Sequence, residues 1–275
     1  MNPNLPTLGV GFGFRAPYLS SLFLHREEVD FLEIVADHYF DPVPEKQREL
    51  ELLADHFPLI PHGLSLSLGS AEGLDKNYTR QLVSLIHRLK PPWWSEHLAF
   101  TRAGGVEIGH LTPLPYTWEA VEAVCKNIRE VRSQVEAPLL LENITYTFRL
   151  PGAEMTESQF LSEILEHTDC GLLLDVTNLY INSVNHGFEV ADFLNAIPLE
   201  RVVQLHFVGG EWEQGQLIDT HSQPTPDAVW EVMRDVLRRA PEKGVILERD
   251  ENLPPFPDIL AELTRARQLW QGVTE

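Results

Sequence analysis

The sequence predicts one (β/α)8 TIM barrel over residues 1–275, and three observations carry that prediction. Eight short apolar, β-rich runs recur along the chain. Segments with helical spacing lie between them, and strand alternating with helix means parallel strands joined by right-handed crossovers. The length of 275 residues is close to the roughly 250 in which eight such units close.

Taken in order, the first run is Leu8–Phe14, followed by the weaker helical segment Ala16–Glu28. Val29–Val35 leads into the helical pattern Glu45–His56, and Leu59–Leu68 into Asn77–Lys90. Trp93–Phe100 precedes the clearest helix, Thr117–Val135, where Val121, Val124, Cys125, Ile128, Val131 and Val135 mark one face and charged residues the other. Pro138–Ile144 leads to Glu157–His167, and Gly171–Leu179 to the weaker Phe188–Ile197. Val202–Val208 leads to Pro226–Arg239, and Gly244–Arg249 to Phe256–Gln268. Runs such as LLLEN, GLLLDV, VVQLHFV and GVILER are continuous rather than alternating, as parallel strands covered on both faces are. The rival is a doubly wound open sheet, but GVGFGF resembles its phosphate turn only loosely and no helix starts cleanly after it. No repeat, low-complexity tract or linker marks a second domain.

Composition bounds the function. An apolar share of 43% and a charged share of 23% are ordinary for a globular chain with a sizeable core. The balance of 21 Lys+Arg against 41 Asp+Glu, net −20, disfavours nucleic acid and an anionic membrane surface, since both are bound through basic side chains. MNPNLPTLGVGFGF lacks the basic and apolar regions of a signal peptide, and no window offers the roughly 20 apolar residues of a spanning helix. The expected location is therefore cytoplasmic. Cys125 and Cys170 read as plain thiols, because a domain of this size needs no disulfide staple.

The chemistry is expected near the C-terminal strand ends. Successive runs carry Glu33, His62, His97, Glu142, Asp175, His206 and Glu248, and the segment IDTHS adds Asp219 and His221. A polar side chain in an apolar strand is costly unless it is paired or binds a metal. Each one alone reads as a satisfied core histidine or a buried salt bridge. Seven at comparable depth in seven successive strands are explained more simply by one shared site, because a barrel gathers these ends at one mouth. Imidazole with carboxylate suits Fe, Mn, Zn or Co, and the lack of thiolates argues against Fe–S clusters. The ligand count exceeds the needs of one ion and fits two or three bridged by a carboxylate.

Other residues draw weaker readings. His25, His56, His87 and His167 fall on or beside helices and read as solvated, while His38, His110 and His186 are candidates to line the pocket. Trp93 and Trp94 read as packing between barrel and helices, and Trp212 as a stacking surface for a substrate. Arg249 either orients Glu248 or an anionic substrate group, or makes an ordinary salt bridge.

With these residues in hand, the sequence resembles the DUF692 (UPF0276-like) family of multinuclear non-heme iron-dependent oxidative enzymes. The matching stretches are GVGFGFR, FLEI, PHGLSLSLGS, SEHLAF, LLLENI, LLLDVTNLY, QLHFVGG, IDTHSQP and ILERD, in order from Leu8 to about Leu263. The resemblance implies a xylose-isomerase-like TIM barrel holding two or three iron ions. It also implies oxygen-dependent modification of cysteine, or occasionally another residue, in a ribosomally made peptide whose thiolate binds an iron. It assigns His62, His97 and Glu142 to one iron, and Glu142 (bridging), Asp175, His206 and Glu248 to the second. Asp219, His221 and Asn178 fall to the third. The implied partners are a Cys-containing precursor peptide and a leader-binding protein. One departure is Asp37-His38 in FLEIVADHYF, where a Glu-Asn pair is expected, a difference that bears on substrate specificity.

The alternative is a redox-neutral enzyme on the same scaffold, a sugar isomerase or epimerase using Mn, Zn, Co or Mg, with Glu142 or Glu248 moving the proton. A barrel phosphodiesterase would use similar ligands, but net charge −20 argues against a DNA substrate. A non-catalytic metal protein needs only four closed ligands.

Overall fold

The computed structural model describes residues 5–274. Eight parallel strands close into a barrel: β1 Gly9–Gly13, β2 Leu32–Val35, β3 Leu59–Gly63, β4 Trp94–His97, β5 Leu139–Glu142, β6 Gly171–Asp175, β7 Val202–Phe207 and β8 Gly244–Leu247. The ring closes where β1 pairs with β8 on one side (Gly9 opposite Gly244) and with β2 on the other (Phe12 opposite Leu32). The helices are α1 Leu19–Leu24, α2 Pro44–Ala54, α3 Lys76–Leu89, α4 Trp118–Arg132, α5 Glu157–His167, α6 Val176–His186, α7 Val190–Ala196, α8 Asp227–Leu237 and α9 Phe256–Thr274. No helix among the described residues is long and apolar enough to cross a membrane.

Local chemistry explains these ends. Asp75 caps α3 by accepting from the N–H groups of Asn77 and Tyr78. Thr156 and Gln159 cap α5 reciprocally, which satisfies N–H groups that have no partner in the first turn. Helix α4 buries Val121, Val124, Cys125, Ile128 and Val131 against the sheet, the face its 3.6-residue spacing dictates. Cys125 and Cys170 are free and buried.

The elements differ from the sequence expectation in five places. The run Leu59–Leu68 is strand only to Gly63 and continues as loop. Trp93–Phe100 divides: β4 stops at His97, and Phe100–Ala103 pairs antiparallel with Val106–Thr112 in a hairpin. A second hairpin, Gly209–Glu213 with Gln216–Gln223, follows β7. Gly171–Leu179 divides at Asp175, where α6 begins with no intervening loop. Ala16–Glu28 resolves into two 3-10 turns flanking α1.

Inside the barrel Phe31, Ile60, Trp93, Leu140, Leu173, Val203 and Ile246 form a closed apolar layer. Its room comes from glycine: a Cβ on Gly244 would stand 2.8 Å from Phe31 Cζ and 3.4 Å from Trp93 Cζ2. Each large apolar side chain in this plug contributes about 1.5–3 kcal/mol by leaving water.

Candidate metal centre

Strand residues two apart share a face, so the apolar layer determines what lies above it. Two positions beyond Phe31, Ile60, Leu140, Leu173 and Ile246 stand Glu33, His62, Glu142, Asp175 and Glu248, all buried. On β7 the same step leads from Gln204 to His206, and on β4 from Trp93 through Ser95 to His97. Strand β1 adds no donor. Its Phe12 packs outward on Tyr18 and Phe256, so alternation turns Gly11 and Gly13 inward.

Glu142 sits at the middle of the cluster. Its Oε2 is 3.3 Å from His62 Nε2 and 3.3 Å from His97 Nε2, and its Oε1 is 3.1 Å from His206 Nδ1. Glu248 Oε2 approaches His206 Nδ1 at 3.0 Å. Donor atoms of His62, His97 and Glu142 lie within 4.8 Å of one another, and so do those of Glu142, Asp175, His206 and Glu248. A third group joins His221, Glu248 and Asp250. Asp219 lies outside that grouping, but its Oδ1 is 2.9 Å from the other ring nitrogen of His221. His221 has φ +49°, a left-handed conformation uncommon outside glycine and typical of functional sites that hold strain. The N–H groups of Asp250 and Glu251 donate to its carbonyl at 3.1 and 3.4 Å.

The rear of each imidazole is occupied, so the front is aimed. His62 Nδ1 meets Ser95 Oγ at 2.8 Å, and His97 Nδ1 meets the Gly63 carbonyl at 3.1 Å. His206 Nε2 contacts Glu33 Oε1 at 2.8 Å. Glu33 therefore stands behind a histidine rather than among the front atoms. Its Oε2 accepts from Gln204 Nε2 at 2.6 Å, and Gln204 Oε1 accepts from Trp93 Nε1 at 2.7 Å. Asn143 clasps Asp175 through the backbone, donating to its carbonyl at 3.0 Å and accepting from its N–H at 2.9 Å. Asp175 Oδ1 caps α6 by accepting from Asn178 N at 2.7 Å, leaving Oδ2 to face the cluster.

The front atoms are orphans. His62 Nε2, Glu142 Oε2, Asp175 Oδ2, Asn178 Oδ1, His206 Nδ1, Asp219 Oδ1 and His221 Nε2 are buried without a hydrogen-bond partner. Each such atom costs about 1–3 kcal/mol unless something satisfies it. Those of His62, Glu142, Asp175 and His206 converge, and imidazole mixed with carboxylate fits cations of the borderline-hard class. These buried clusters can hold several metal ions.

The electrostatics agree. Burial alone pulls the His97 imidazole down, but Glu142 and Glu96 outweigh it and hold the group at about 9. His206 is raised well above its ordinary value in the same way, with Glu33 the strongest opponent of burial, then Glu248 and Glu142. Glu142 and Glu248 are lowered because neighbouring imidazoles overcome the effect of burial. Asp175 goes the other way: burial, then Asp219 and Glu142, push its carboxyl well above the usual range. A bound cation reverses that balance.

The other candidates separate clearly. His110 and Asp219 line one cleft of about 250 Å³ beside the mouth. His186 stacks on Tyr146 at 4.3 Å, and its Nε2 contacts the Tyr146 carbonyl at 2.7 Å. His38 is exposed after β2, and partial desolvation followed by Arg15 lowers its pKa. Trp93 belongs to the apolar plug, Trp94 to the outer core, and Trp212 is exposed. Arg249 makes the structural salt bridge, donating to Ser222 O at 2.8 Å and Glu262 Oε1 at 3.1 Å. Sequence reasoning missed Gln204, Asp250 and Arg15, whose guanidinium pairs with Asp250. Gln204 had a visible signal, a polar residue two before His206 in an apolar strand.

A closed parallel barrel with a mouth of clustered imidazoles and carboxylates defines the class: an enzyme barrel of xylose-isomerase-like form with room for metal. The chain belongs to the MbnB/TglH/ChrH family of RiPP precursor modification enzymes, which act on ribosomally made peptides; that family's pattern matches residues 9–271. The chain is 39% identical over 266 residues to a UPF0276 protein of Caulobacter vibrioides, covering 96% of this chain and 95% of the relative. Among solved structures it resembles a xylose isomerase domain protein from Planctomyces limnophilus (TM-score 0.61, 13% identity, 98% and 97% of the two chains). It also resembles a xylose isomerase-like TIM barrel protein from Mycobacterium smegmatis in complex with magnesium (TM-score 0.58, 12% identity, 99% and 98%). These two likenesses establish the fold alone.

Proposed function

We propose that this chain is an iron-dependent oxidative enzyme that modifies a cysteine, or another residue, of a ribosomally made peptide. The observation that carries the reading is Glu142, one carboxylate shared by two buried donor groups whose front atoms lack hydrogen-bond partners. His62, His97 and Glu142 would hold one ion, and Glu142, Asp175, His206 and Glu248 a second. His221, with Asp219, Asn178, Glu248 and Asp250 around it, would hold a third. Iron bound there supplies oxygen activation and a Lewis acid for a substrate thiolate.

The chain's residues do the rest. Ser95, the Gly63 carbonyl and Glu33 orient His62, His97 and His206 so that one nitrogen of each faces inward. The apolar layer beneath keeps water from reaching the donors from below. Strand β1, with glycine inward, adds no donor of its own, and the Arg15 side chain lies against Gly13 there. Asp250 and Arg15 sit at the outer edge, where they can meet a polar group of the peptide.

Protein prepared without oxygen from iron-supplied cells is expected to carry about two to three irons per chain. With a Cys-containing precursor peptide it is expected to consume oxygen and change the peptide mass. The redox-neutral reading draws on the same donor set, because imidazole with carboxylate also suits manganese or zinc. Tightly held magnesium, manganese or zinc, with no oxygen uptake, would support that reading instead.

A further inference from the structure

A second cavity, of about 360 Å³, lies between the loop after β5, the start of α5 and α7. Its walls are apolar, formed by Leu114, Leu150, Met155, Phe188 and Phe193. At its inner end stands the half-buried carboxylate of Glu157, which accepts a hydrogen bond from the Tyr146 hydroxyl at 3.0 Å. The rings of Tyr146 and Tyr116 meet edge-on beside it, 6.4 Å between centroids. Burial pushes the Glu157 carboxyl up to about 7, against the Tyr146 hydroxyl and the field of Arg149, which is exposed at the rim. None of these groups belongs to the metal centre.

Three ligand classes can be compared. A neutral apolar group would fill the walls but leave the desolvated carboxylate without compensation. An anion would face Glu157 inside and Asp192 at the rim. A cation on an aliphatic stem satisfies both: its methylenes cover the apolar walls and its head pairs with the carboxylate. We propose that this cavity binds an aliphatic chain ending in an ammonium or guanidinium group, with Glu157 as counter-ion. The chemistry suits a lysine or arginine side chain of a peptide, or a free alkyl diamine.

The cavity is also connected to the barrel mouth. A small void of about 20 Å³ shares Leu114, Tyr116 and Glu157 with it and reaches Leu98 and Asn143, the residues that follow His97 and Glu142. An occupant therefore sits one packing layer behind two of the donor strands.

The chain offers a local reporter. It contains three methionines; Met155 lines the cavity and Met233 is fully buried in the core. The full chain, labelled with 13C at the methionine methyls, would be titrated with N-acetyl-lysine N-methylamide, its norleucine counterpart and 1,5-diaminopentane. The lysine probe is expected to shift the Met155 methyl saturably and leave Met233 in place. Norleucine, lacking the cation, is expected to bind about tenfold more weakly or worse. Glu157→Gln should abolish that discrimination while the Met233 signal reports an intact core. Tighter binding of capped lysine than of diamine assigns the site to a peptide side chain, and the reverse order assigns it to a free amine. Equal binding of norleucine, discrimination that survives Glu157→Gln, or an unmoved Met155 overturns the proposal. The titration reads neither metal nor turnover, so its failure is distinct from failure of the oxidative reading.

Discussion

Replacing Glu33 with glutamine changes no volume and removes one charge, yet the structure predicts a large penalty through hydrogen-bond direction. Trp93 Nε1 can only donate, and it donates to Gln204 Oε1. That contact turns the Gln204 amide nitrogen toward Glu33 Oε2. Glu33 accepts at both oxygens, so His206 directs its Nε2 proton at it, and a bound cation would take the place of the proton on Nδ1. A glutamine at position 33 has one accepting and one donating end. Whichever way it turns, two donors meet, either at Gln204 or at His206. Rotating Gln204 to relieve the clash moves it to Trp93. The alternative is for His206 to give up its Nε2 proton and keep the one on Nδ1, which then blocks a front atom. One buried polar group left unsatisfied costs about 1–3 kcal/mol, so Glu33→Gln should lower the stability of the metal-free protein by that amount and weaken metal retention. Trp93→Phe removes the donor that fixes the chain of contacts and lets Gln204 rotate. The double variant should therefore be less damaged than the sum of its parts, by about 1 kcal/mol in a mutant cycle. Urea denaturation and metal analysis measure both effects. Additive single-variant losses, or a Glu33→Gln protein as stable and metal-rich as the parent, would refute the directional argument.

Other outcomes follow from the same geometry. Glu142→Ala removes the carboxylate common to two donor groups and is expected to lose most bound metal together with activity. His221→Ala should cost about one metal equivalent, since in the proposed reading His221 would hold only the outer ion; metal analysis with a recorded melting curve separates the two, and full occupancy in both would show that these residues are not ligands. Gly244→Ala drives a methyl into Phe31 at 2.8 Å and should destabilise by about 1–3 kcal/mol in denaturant titration, as overpacked cores do. For Glu157, faced by Tyr116, Tyr146, Arg149 and Asp192, the folded value of about 7 lies above the ordinary 4.5. Below pH 4.5 both states are protonated and the residue costs nothing. From there to pH 7 the unfolded chain ionises first, and native stability falls. Glu157→Gln should thus match the parent in acid and exceed it above pH 7 by on the order of 1 kcal/mol, after discounting for solvent in the cavity; thermal melts across that range test it.

The clustering of these side chains was legible because carboxylates and imidazoles interrupt apolar runs at one depth, and a barrel has one mouth. What escaped was what supports those donors. Gln204 read as part of a strand, and its role depends on Trp93 and Glu33 arriving from other strands. Asp250 and Arg15 lie far apart in sequence and meet only through barrel closure. Helix α6 was hidden because LLLDVTNLYI is apolar across the point where Asp175 turns from strand residue to cap. The two hairpins carried a readable mark, Gly104-Gly105 and Gln214-Gly215, each pair at positive φ as two-residue hairpin turns require. Mixed polar strands around those turns gave no apolar period to support it.

The apolar layer under the donors turns the barrel into a blind well. Nothing passes through Phe31, Trp93 and their neighbours, so every arrival and departure uses the open end. Within the well the groups are graded by depth, with Asp175 and His206 wholly buried and Asp250 exposed. If the proposed ions bind, occupancy would be a queue: an ion at the inner donors would enter before the outer position fills and leave only after it empties. Chelators should strip such a centre from the outside in, with the ion at His221 released first and the two that would share Glu142 last.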